Sequence, residues 1–212
     1  MSEIDIEGRD DFEPLLENNI EPDPFEQFRK WFEQALVAVP KLPNAMTVAT
    51  ATADGVPSAR LVLLKDFDER GFVFYTNYES AKGRELNENP VAALVFYWSE
   101  LDRQVRITGR VTKTTREESD EYFHTRPLES QLGAWASNQS QVITGRDVLE
   151  KRMEALVKEY ESRIVPLPPY WGGYRVSPRV VEFWQNREGR LHDRIRYRLL
   201  DDGRWLIERL SP

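Results

Sequence analysis

The sequence of 212 residues contains no cysteine and only two histidines, His124 and His192. Disulfides and thiolate metal sites are therefore excluded, and two distant histidines argue against a histidine-rich metal centre. No apolar run approaches the roughly 20 residues of a membrane-spanning helix, and the acidic N-terminus differs from a signal peptide. These absences favour a soluble cytoplasmic protein with no bound metal and no membrane partner.

Negative charge is concentrated at the N-terminus. Residues 1–26 hold ten acidic residues and one basic residue, Arg9, whereas the rest of the chain is close to neutral. The basic residues are dispersed and no recognition motif is present, which argues against a nucleic-acid partner. The pattern predicts a mobile acidic arm over residues 1–21 and a single domain over residues 22–212.

An amphipathic helix is predicted over residues 23–39. Asp23 is a suitable N-cap, and Pro24 follows it in the first helical turn. Apolar residues recur at steps of three and four, as expected for a helix that buries one face. The predicted buried stripe consists of Phe25, Phe28, Phe32, Leu36 and Val39.

Beyond residue 45, short strands joined by turns predominate. Apolar alternation predicts strands at 46–52, 56–65, 72–77, 91–98, 104–114, 174–185, 194–200 and 204–210, with a turn at 66–71. Helices are predicted from Ser80 to before Pro90, from Thr115 to about His124, after Pro127, and from Thr144 to about Ser162. Without an alternating βα rhythm, this order favours a mainly β fold with flanking helices, an α+β antiparallel barrel.

The segment ARLVLLK, residues 59–65, carries a cation near each end. Alternation divides it into two faces, with Arg60, Val62 and Leu64 on one and Leu61, Leu63 and Lys65 on the other. The two cations could each reach a separate anion. The alternative is that they only protect an edge strand from aggregation.

The segment FYTNYESAKGREL, residues 74–86, combines a helix start with a lysine. Ser80 is a suitable cap, and Lys82 lies in the first turn, where free N–H groups favour an anion. Tyr75 and Thr76 precede it and add aromatic and hydroxyl groups. Lysines are also common in first turns, so a phosphate site is one of two interpretations.

The segment 122–140 places a phenol, a guanidinium and a hydroxyl four residues apart, in Tyr122, Arg126 and Ser130. If the chain stays roughly helical across Pro127, the three converge and offer the donors that a phosphate monoester needs. The alternative is an exposed helix face.

The segment FWQNREGRLHDR, residues 183–194, holds His192 between Arg190 and Arg194, close after Trp184. An indole and guanidinium groups can stack on a heteroaromatic ring, although the pattern also fits a charged surface hairpin. Neighbouring arginines favour a neutral imidazole that positions a ligand. With no Gly-rich phosphate loop or activated nucleophile motif in the chain, the four segments together indicate two phosphorylated planar molecules, such as FMN and a phosphorylated ring.

Seven segments match a known family in order and with natural spacing. They are RLVLLK (60–65), FYTN (74–77), RQVRITG (103–109), YFHTRPLESQLGAWASNQS (122–140), PPYWGGYRV (168–176), EFWQ (182–185) and RLHDR (190–194). The sequence thereby resembles the pyridoxamine 5′-phosphate oxidase family from about Pro22 to Pro212. The resemblance implies a homodimeric FMN-binding split β-barrel, with a C-terminal dimerisation segment over about 165–212.

The resemblance also implies roles for individual residues. The FMN phosphate would be held by Arg60 and Lys82. Other flavin contacts would come from Leu61, Val62, Leu63, Leu64, Lys65, Tyr75, Thr76 and Gln104 of one subunit, and from Gln139, Ser140, Trp184 and Arg194 of the other. The substrate phosphate would meet Lys65, Tyr122, Arg126 and Ser130. The substrate ring would be covered by Arg190, Leu191 and His192, of which Arg190 and His192 are the candidate catalytic residues.

The implied reaction is oxidation of pyridoxamine or pyridoxine 5′-phosphate by O2 to pyridoxal 5′-phosphate, with release of H2O2. The alternatives are another split-barrel flavin oxidoreductase and a non-catalytic protein that binds FMN or pyridoxal phosphate. Two positions depart from the family pattern. Ala81 stands where relatives often have arginine, and the Arg-x-x-Tyr of a closing arm is approximated only by Arg9 and Phe12.

Overall fold

The computed structural model describes residues 13–212, which hold five α-helices and nine β-strands. The helices are α1 (Pro24–Ala38), α2 (Ala81–Glu88), α3 (Arg116–Thr125), α4 (Leu128–Ala136) and α5 (Asp147–Glu159). The strands are β1 (Ala45–Ala51), β2 (Pro57–Leu63), β3 (Asp66–Asp68), β4 (Gly71–Asn77), β5 (Val91–Trp98), β6 (Arg103–Lys113), β7 (Trp171–Gln185), β8 (Asp193–Leu199) and β9 (Trp205–Arg209). Within this part of the chain, no helix is long and apolar enough to cross a membrane.

All strands belong to one antiparallel sheet with the order β2-β1-β5-β6-β7-β4-β3. The sheet branches at β7, because its first half pairs with β4 and its second half pairs with β8, which in turn pairs with β9. The predicted mainly β architecture with flanking helices is confirmed. Its element order differs from the prediction mainly at residues 66–71, where a three-residue strand precedes the turn.

A β-bulge marks the branch point. The register of β6 and β7 shifts between Thr108 and Gly109, opposite Pro178. Proline has no N–H for the ladder, and a Cβ on Gly109 would lie 2.1 Å from the carbonyl oxygen of Ser177. Only glycine lets the two backbones approach this closely, and such bulges bend a strand. The bulge therefore lets β7 serve two different neighbours along its length.

Helix α1 closes one side of the curled sheet. Asp23 caps it as predicted, accepting a hydrogen bond from the backbone N–H of Phe25. Phe28 is fully buried, with its ring 4.9 Å from the rings of Phe67 and Phe72. The predicted stripe is wrong at Leu36, which is 55 % exposed, because the helix turns Ala35 inward instead.

The domain boundary predicted between residues 21 and 22 needs correction. Leu15 is buried in the main core, and its backbone N–H donates to Asp193. Arg209 on β9 pairs with Glu17. Residues 13–21 are therefore part of the packed domain, while the predicted lid residues Arg9 and Phe12 lie outside the described residues.

Helices α3, α4 and α5 cover a second, smaller core. A capping box of Thr115 and Glu118 starts α3 where the sequence predicts a helix start. Phe123, Leu132 and Trp171 are buried among these helices and the start of β7. Helix α5 ends at residue 159, three residues before the predicted end. This second core matters for function because it carries one wall of the cavity between the helices and the sheet.

Candidate active site

A cavity of about 600 Å³ lies where β2, β4 and α2 face α3, α4 and the start of β7. It is lined by eleven of the residues chosen from the sequence: Leu61, Val62, Leu63, Lys65, Tyr75, Thr76, Lys82, Tyr122, Arg126, Ser130 and Gln139. Six further residues complete the lining: Asn77, Pro127, Gly133, Ala134, Ser137 and Trp171. Segments distant in sequence thus meet at one site.

Lys82 forms the cationic centre at one end of this cavity. Ser80 caps α2 by accepting a hydrogen bond from the backbone of Gly83, as the sequence predicts. The Lys82 ammonium donates to Thr76 Oγ1 at 3.1 Å and to Gln139 Oε1 at 2.9 Å. Burial lowers the pKa of Lys82 to about 8, and the charge of Arg60 adds to this shift. A buried ammonium bound by neutral oxygens favours an incoming anion.

Arg60 lies beside this centre without lining the cavity. Its guanidinium donates to Ser58 Oγ at 2.6 Å and pairs with Glu85 on α2 at 3.3 Å. Glu85 also accepts from Thr50, and these bonds hold the pKa of the Glu85 carboxyl below its usual value against the opposing effect of burial. Ala81 occupies the first position of α2 and is half-buried. Arg60 is thus held near Lys82 by its own counterion.

The end of β2 supplies one wall. The strand stops at Leu63, and the backbone N–H of Lys65 bonds to the Val73 carbonyl on β4. Leu64 turns into the main core, while Lys65 faces the cavity with its ammonium 5.7 Å from the Tyr122 ring. The two faces predicted for Leu64 and Lys65 are therefore observed, although both residues lie beyond the strand.

The opposite end of the cavity holds Tyr122, Arg126 and Ser130. The chain is not helical throughout, because α3 ends at Thr125, Arg126 is extended and α4 begins at Leu128. The three side chains still line the same cavity, since the kink at Pro127 is short. The Nη1 atom of Arg126 is buried and makes no hydrogen bond within residues 13–212. Burial lowers the pKa of Arg126, because the charged guanidinium loses its solvation.

An aromatic stack forms the wall between the two ends. The rings of Tyr75 and Tyr122 are 4.0 Å apart and nearly parallel, and Trp171 lies 5.5 Å from Tyr75. The Arg126 guanidinium sits 4.7 Å above the Trp171 ring. Sequence reasoning missed Trp171; the available signal was its position directly before the paired glycines of YWGG, where side chains of Tyr78 and Thr114 pack against the backbone. A flat apolar wall beside two cationic ends suits a planar anionic ligand.

A second group of predicted residues lies together elsewhere on the chain. Gln104, Trp184 and Arg194 are direct neighbours across β6, β7 and β8. Arg194 is fixed by Glu182, with Nε 2.9 Å from the carboxylate. The three do not line the cavity of their own chain. Gln104 therefore lies beside Trp184 and Arg194. The resemblance instead assigned Gln104 to the subunit that contributes residues 61–65, and Trp184 and Arg194 to its partner.

The loop between β7 and β8 carries Arg190, Leu191 and His192. Leu191 is 73 % exposed, and the His192 ring lies 4.8 Å from the Trp184 ring. None of the three lines the cavity. Gln139, by contrast, lies in the cavity of its own chain and accepts a hydrogen bond from Lys82 there. The resemblance assigned Gln139 to the partner subunit. Ser140, next to it, has a left-handed backbone with φ 69°.

Comparison with known proteins decides the family. The family model described as Pyridoxamine 5′-phosphate oxidase matches residues 32–158, and the Pyridoxine 5′-phosphate oxidase C-terminal dimerisation region matches residues 171–212. The chain belongs to the pyridoxamine 5′-phosphate oxidase family. It is therefore an oxidoreductase, as the sequence predicted.

Individual relatives agree with this family. The pyridoxine/pyridoxamine 5′-phosphate oxidase of Nostoc sp. strain PCC 7120 is 62% identical over 200 residues, which cover 94% of each chain. The enzyme of the same name from Cupriavidus necator is 57% identical and covers 93% of each chain. The solved structure of PhzG from Burkholderia lata 383, in complex with tetrahydrophenazine-1-carboxylic acid, is 33% identical with a TM-score of 0.87. It covers 92% of this chain and 95% of that one.

The predicted split-barrel fold is confirmed by a more distant structure. A pyridoxamine 5′-phosphate oxidase-related, FMN binding protein from Nostoc punctiforme superposes with a TM-score of 0.71 at 17% identity, covering 91% of this chain. Within the oxidase chain, the dimerisation region contains Trp184, Arg194 and the whole Arg190–His192 loop. Most of the predicted site residues that do not line the cavity therefore lie in the region of the chain that matches the dimerisation region.

Proposed function

We propose that this protein oxidises pyridoxamine 5′-phosphate and pyridoxine 5′-phosphate to pyridoxal 5′-phosphate, with FMN as cofactor and O2 as the final electron acceptor. One observation carries the proposal. A single cavity has one cationic end at Lys82, a second at Lys65 and Arg126, and an aromatic wall between them. Two phosphorylated planar molecules match this distribution of charge and flat surface.

The residues present fit FMN. The Lys82 ammonium is buried and bound by Thr76 and Gln139, whose neutral oxygens leave its charge for a phosphate. Arg60 lies close enough to affect Lys82 electrostatically. Residues 61–65 would border the isoalloxazine ring. When bound, FMN would supply the redox chemistry, accepting two electrons from the substrate C4′ carbon and giving them to O2 as H2O2, while water would replace the amino group of the pyridoxamine substrate, which leaves as ammonia.

The substrate phosphate is assigned to the other end. Arg126, Tyr122, Ser130 and Lys65 provide a guanidinium, two hydroxyls and an ammonium around one space. The indole of Trp171 supports Arg126 from below. These groups hold the phosphate so that the substrate ring lies along the aromatic wall, which orients the reacting carbon and excludes water.

A homodimer completes the site in this proposal. Trp184, Arg190, His192 and Arg194 do not reach the cavity of their own chain, and they lie in the segment that matches a dimerisation region. A partner subunit would bring them over the opening. Arg190 would then cover the substrate ring and stabilise its charge changes, and Trp184 with Arg194 would meet the flavin edge.

One experiment tests this function. The purified protein is expected to be yellow and to convert pyridoxine 5′-phosphate in air to pyridoxal phosphate with an equal amount of H2O2. A yellow protein that yields neither product would favour a carrier of FMN or pyridoxal phosphate. A colourless protein that takes up no FMN on reconstitution would refute every flavin-based function.

Substrate choice tests the alternative of another split-barrel flavin oxidoreductase. PhzG binds a carboxylic acid that has no phosphate, whereas the cavity here has a full set of phosphate donors at Arg126. We expect flavin reduction by pyridoxine 5′-phosphate at micromolar concentration and none by unphosphorylated ring acids. The opposite preference would support the alternative.

A further inference from the structure

The loop that carries His192 has an unusual backbone. Residues Glu188–Arg190 form a tight, non-helical turn in which Gly189 and Arg190 both have positive φ, of 62° and 61°. Glycine adopts this conformation freely, but arginine does so at a cost of about 1 kcal/mol or more. A strained residue persists only when its surroundings hold it in place, so the contacts that close this loop are informative.

His192 itself provides one of these contacts. The backbone N–H of Arg187 donates to Nδ1 of His192 over 3.2 Å, which joins the two ends of the loop. A backbone N–H is always a donor, so Nδ1 must be unprotonated. The neutral ring then carries its proton on Nε2. The ring also packs on Trp184 at 4.8 Å, which leaves it little freedom to flip.

Asp193 provides the other contacts. Its carboxylate accepts from Arg187 Nε at 2.8 Å and from Arg209 Nη1 at 2.9 Å. It also accepts from the backbone N–H of Leu15 at 3.3 Å, although 178 residues separate the two. The Asp193 side chain is only 13% exposed, so these bonds are shielded from water. One carboxylate thus joins the loop, β9 and the N-terminal segment.

We propose that Asp193 is a positioning residue that anchors Arg187, so that the Arg187 backbone N–H binds His192 Nδ1 and the imidazole offers its protonated Nε2 to the substrate as a hydrogen-bond donor. This inference rests on the proposed function for the identity of the substrate. In this arrangement His192 does not act as a base towards the substrate. Its Nδ1 already accepts from Arg187, and its Nε2, which faces the substrate, already carries a proton. A substrate ring with an acceptor atom, such as a phenolate oxygen, is the matching ligand.

The first test is nuclear magnetic resonance on the FMN-bound protein labelled with ¹⁵N. In the His124→Gln variant His192 is the only histidine, so its signals need no further assignment. We expect a pyrrole-type shift at Nε2, a pyridine-type shift at Nδ1 and a coupling across the hydrogen bond from the Arg187 amide. The absence of that coupling, or an average of both tautomers as in free histidine, would overturn the proposal.

The second test compares Asp193→Asn with Asp201→Asn, an exposed acidic residue in the turn between β8 and β9. Asp193→Asn should abolish the coupling and raise the KM for pyridoxine 5′-phosphate about tenfold. A tenfold change is what the loss of one hydrogen bond to a charged substrate oxygen produces. The FMN dissociation constant should change little in either variant. An unchanged KM with the coupling retained would show that Asp193 only stabilises the fold.

Two safeguards keep the outcome clear. If Asp193→Asn does not fold, Arg187→Gln removes the same contact from the other side and should give the same loss of coupling. The resonance measurement needs no turnover, so a protein with the predicted tautomer but no oxidase activity would refute the proposed function alone. An active oxidase with an averaged tautomer would refute only this inference.

Discussion

The ammonium of Lys82 donates a hydrogen bond to the side-chain oxygen of Gln139 over 2.9 Å, although 57 residues separate them. Lys82 lies in the first turn of α2, whereas Gln139 belongs to the loop between α4 and α5. Their contact brings this loop against α2 at one end of the cavity. The cofactor phosphate is therefore expected to meet a site whose charge comes from α2 and whose shape comes from the loop.

Replacing Lys82 by methionine should weaken FMN binding strongly. A charged hydrogen bond in a buried site is worth about 1.5–3 kcal/mol, so the dissociation constant should rise about 10- to 100-fold. Quenching of flavin fluorescence on titration into apoprotein measures this. Lys151→Met is the matched control, because Lys151 is exposed and pairs with Asp147 one helical turn away. Equal affinity in the two variants would exclude Lys82 from the phosphate site.

The pH dependence of FMN binding should report the same lysine. Burial lowers the pKa of Lys82 to about 8 from 10.5, so the charge that attracts the phosphate disappears above pH 8. Affinity should then fall by up to tenfold per pH unit between pH 8 and 10.5. The titration of Lys82→Met should be flat over this range. A wild-type affinity that is constant from pH 7 to 9.5 would contradict the assignment.

The stability of the apoprotein should change in the opposite direction. Between pH 8 and 10.5 the unfolded chain holds a proton on Lys82 that the folded chain has released, so this residue makes folding more favourable as the pH rises. The contribution is isolated by subtracting the denaturation midpoints of Lys82→Met from those of the wild type. The denaturation midpoint of the wild type, relative to that of Lys82→Met, should rise as the pH increases from 8 to 10.5.

Arg126→Met should separate phosphate recognition from chemistry. The KM for pyridoxine 5′-phosphate is expected to rise at least tenfold, because the lost bonds involve a charged donor. The kcat should change much less, since the phosphate is remote from the reacting carbon. Unphosphorylated pyridoxine serves as the control substrate, for which the variant and the wild type should differ little. A similar loss with both substrates would point to a damaged fold instead.

Trp171 should matter for both packing and recognition. It is buried beneath Arg126 and beside Tyr75, so Trp171→Ala should lower the free energy of unfolding by about 3–5 kcal/mol. Trp171→Phe keeps a flat ring and should lose less stability, yet still raise the KM because the arginine rests on a smaller surface. Urea denaturation and steady-state kinetics measure the two effects. A stability loss without any change in KM would limit Trp171 to packing.

Mixed dimers should show whether two subunits share each site. Lys82→Met damages the cavity, and Arg190→Leu damages the loop that we assign to the partner's cavity. Each variant alone should have low activity, but a mixed dimer should contain one intact site and one site with both defects. Activity should therefore reappear when the two variants are unfolded and refolded together. If mixing restores nothing, both residues act within a single subunit.

Local patterns were enough to predict most secondary structure. The caps at Asp23, Ser80 and Thr115 and the strand at 91–98 were found because a helix start or an alternating strand depends on neighbours only a few residues away. The errors lie where distant contacts decide. Leu36 was placed in the core although the helix buries Ala35, and residues 13–21 were assigned to a mobile arm because their charge does not reveal the burial of Leu15.

The sequence by itself determined the family and the fold class, and it predicted the groups that we propose bind two phosphates. Residue types and spacing carry this information, since a helix cap with a lysine or a phenol four residues from a guanidinium is local chemistry. Only the tertiary structure decided which of these groups meet. It joined Lys82 to Gln139, placed Gln104 beside Trp184 and Arg194, and put Trp171 beneath Arg126, because strand register and core packing bring together residues that no sequence interval connects.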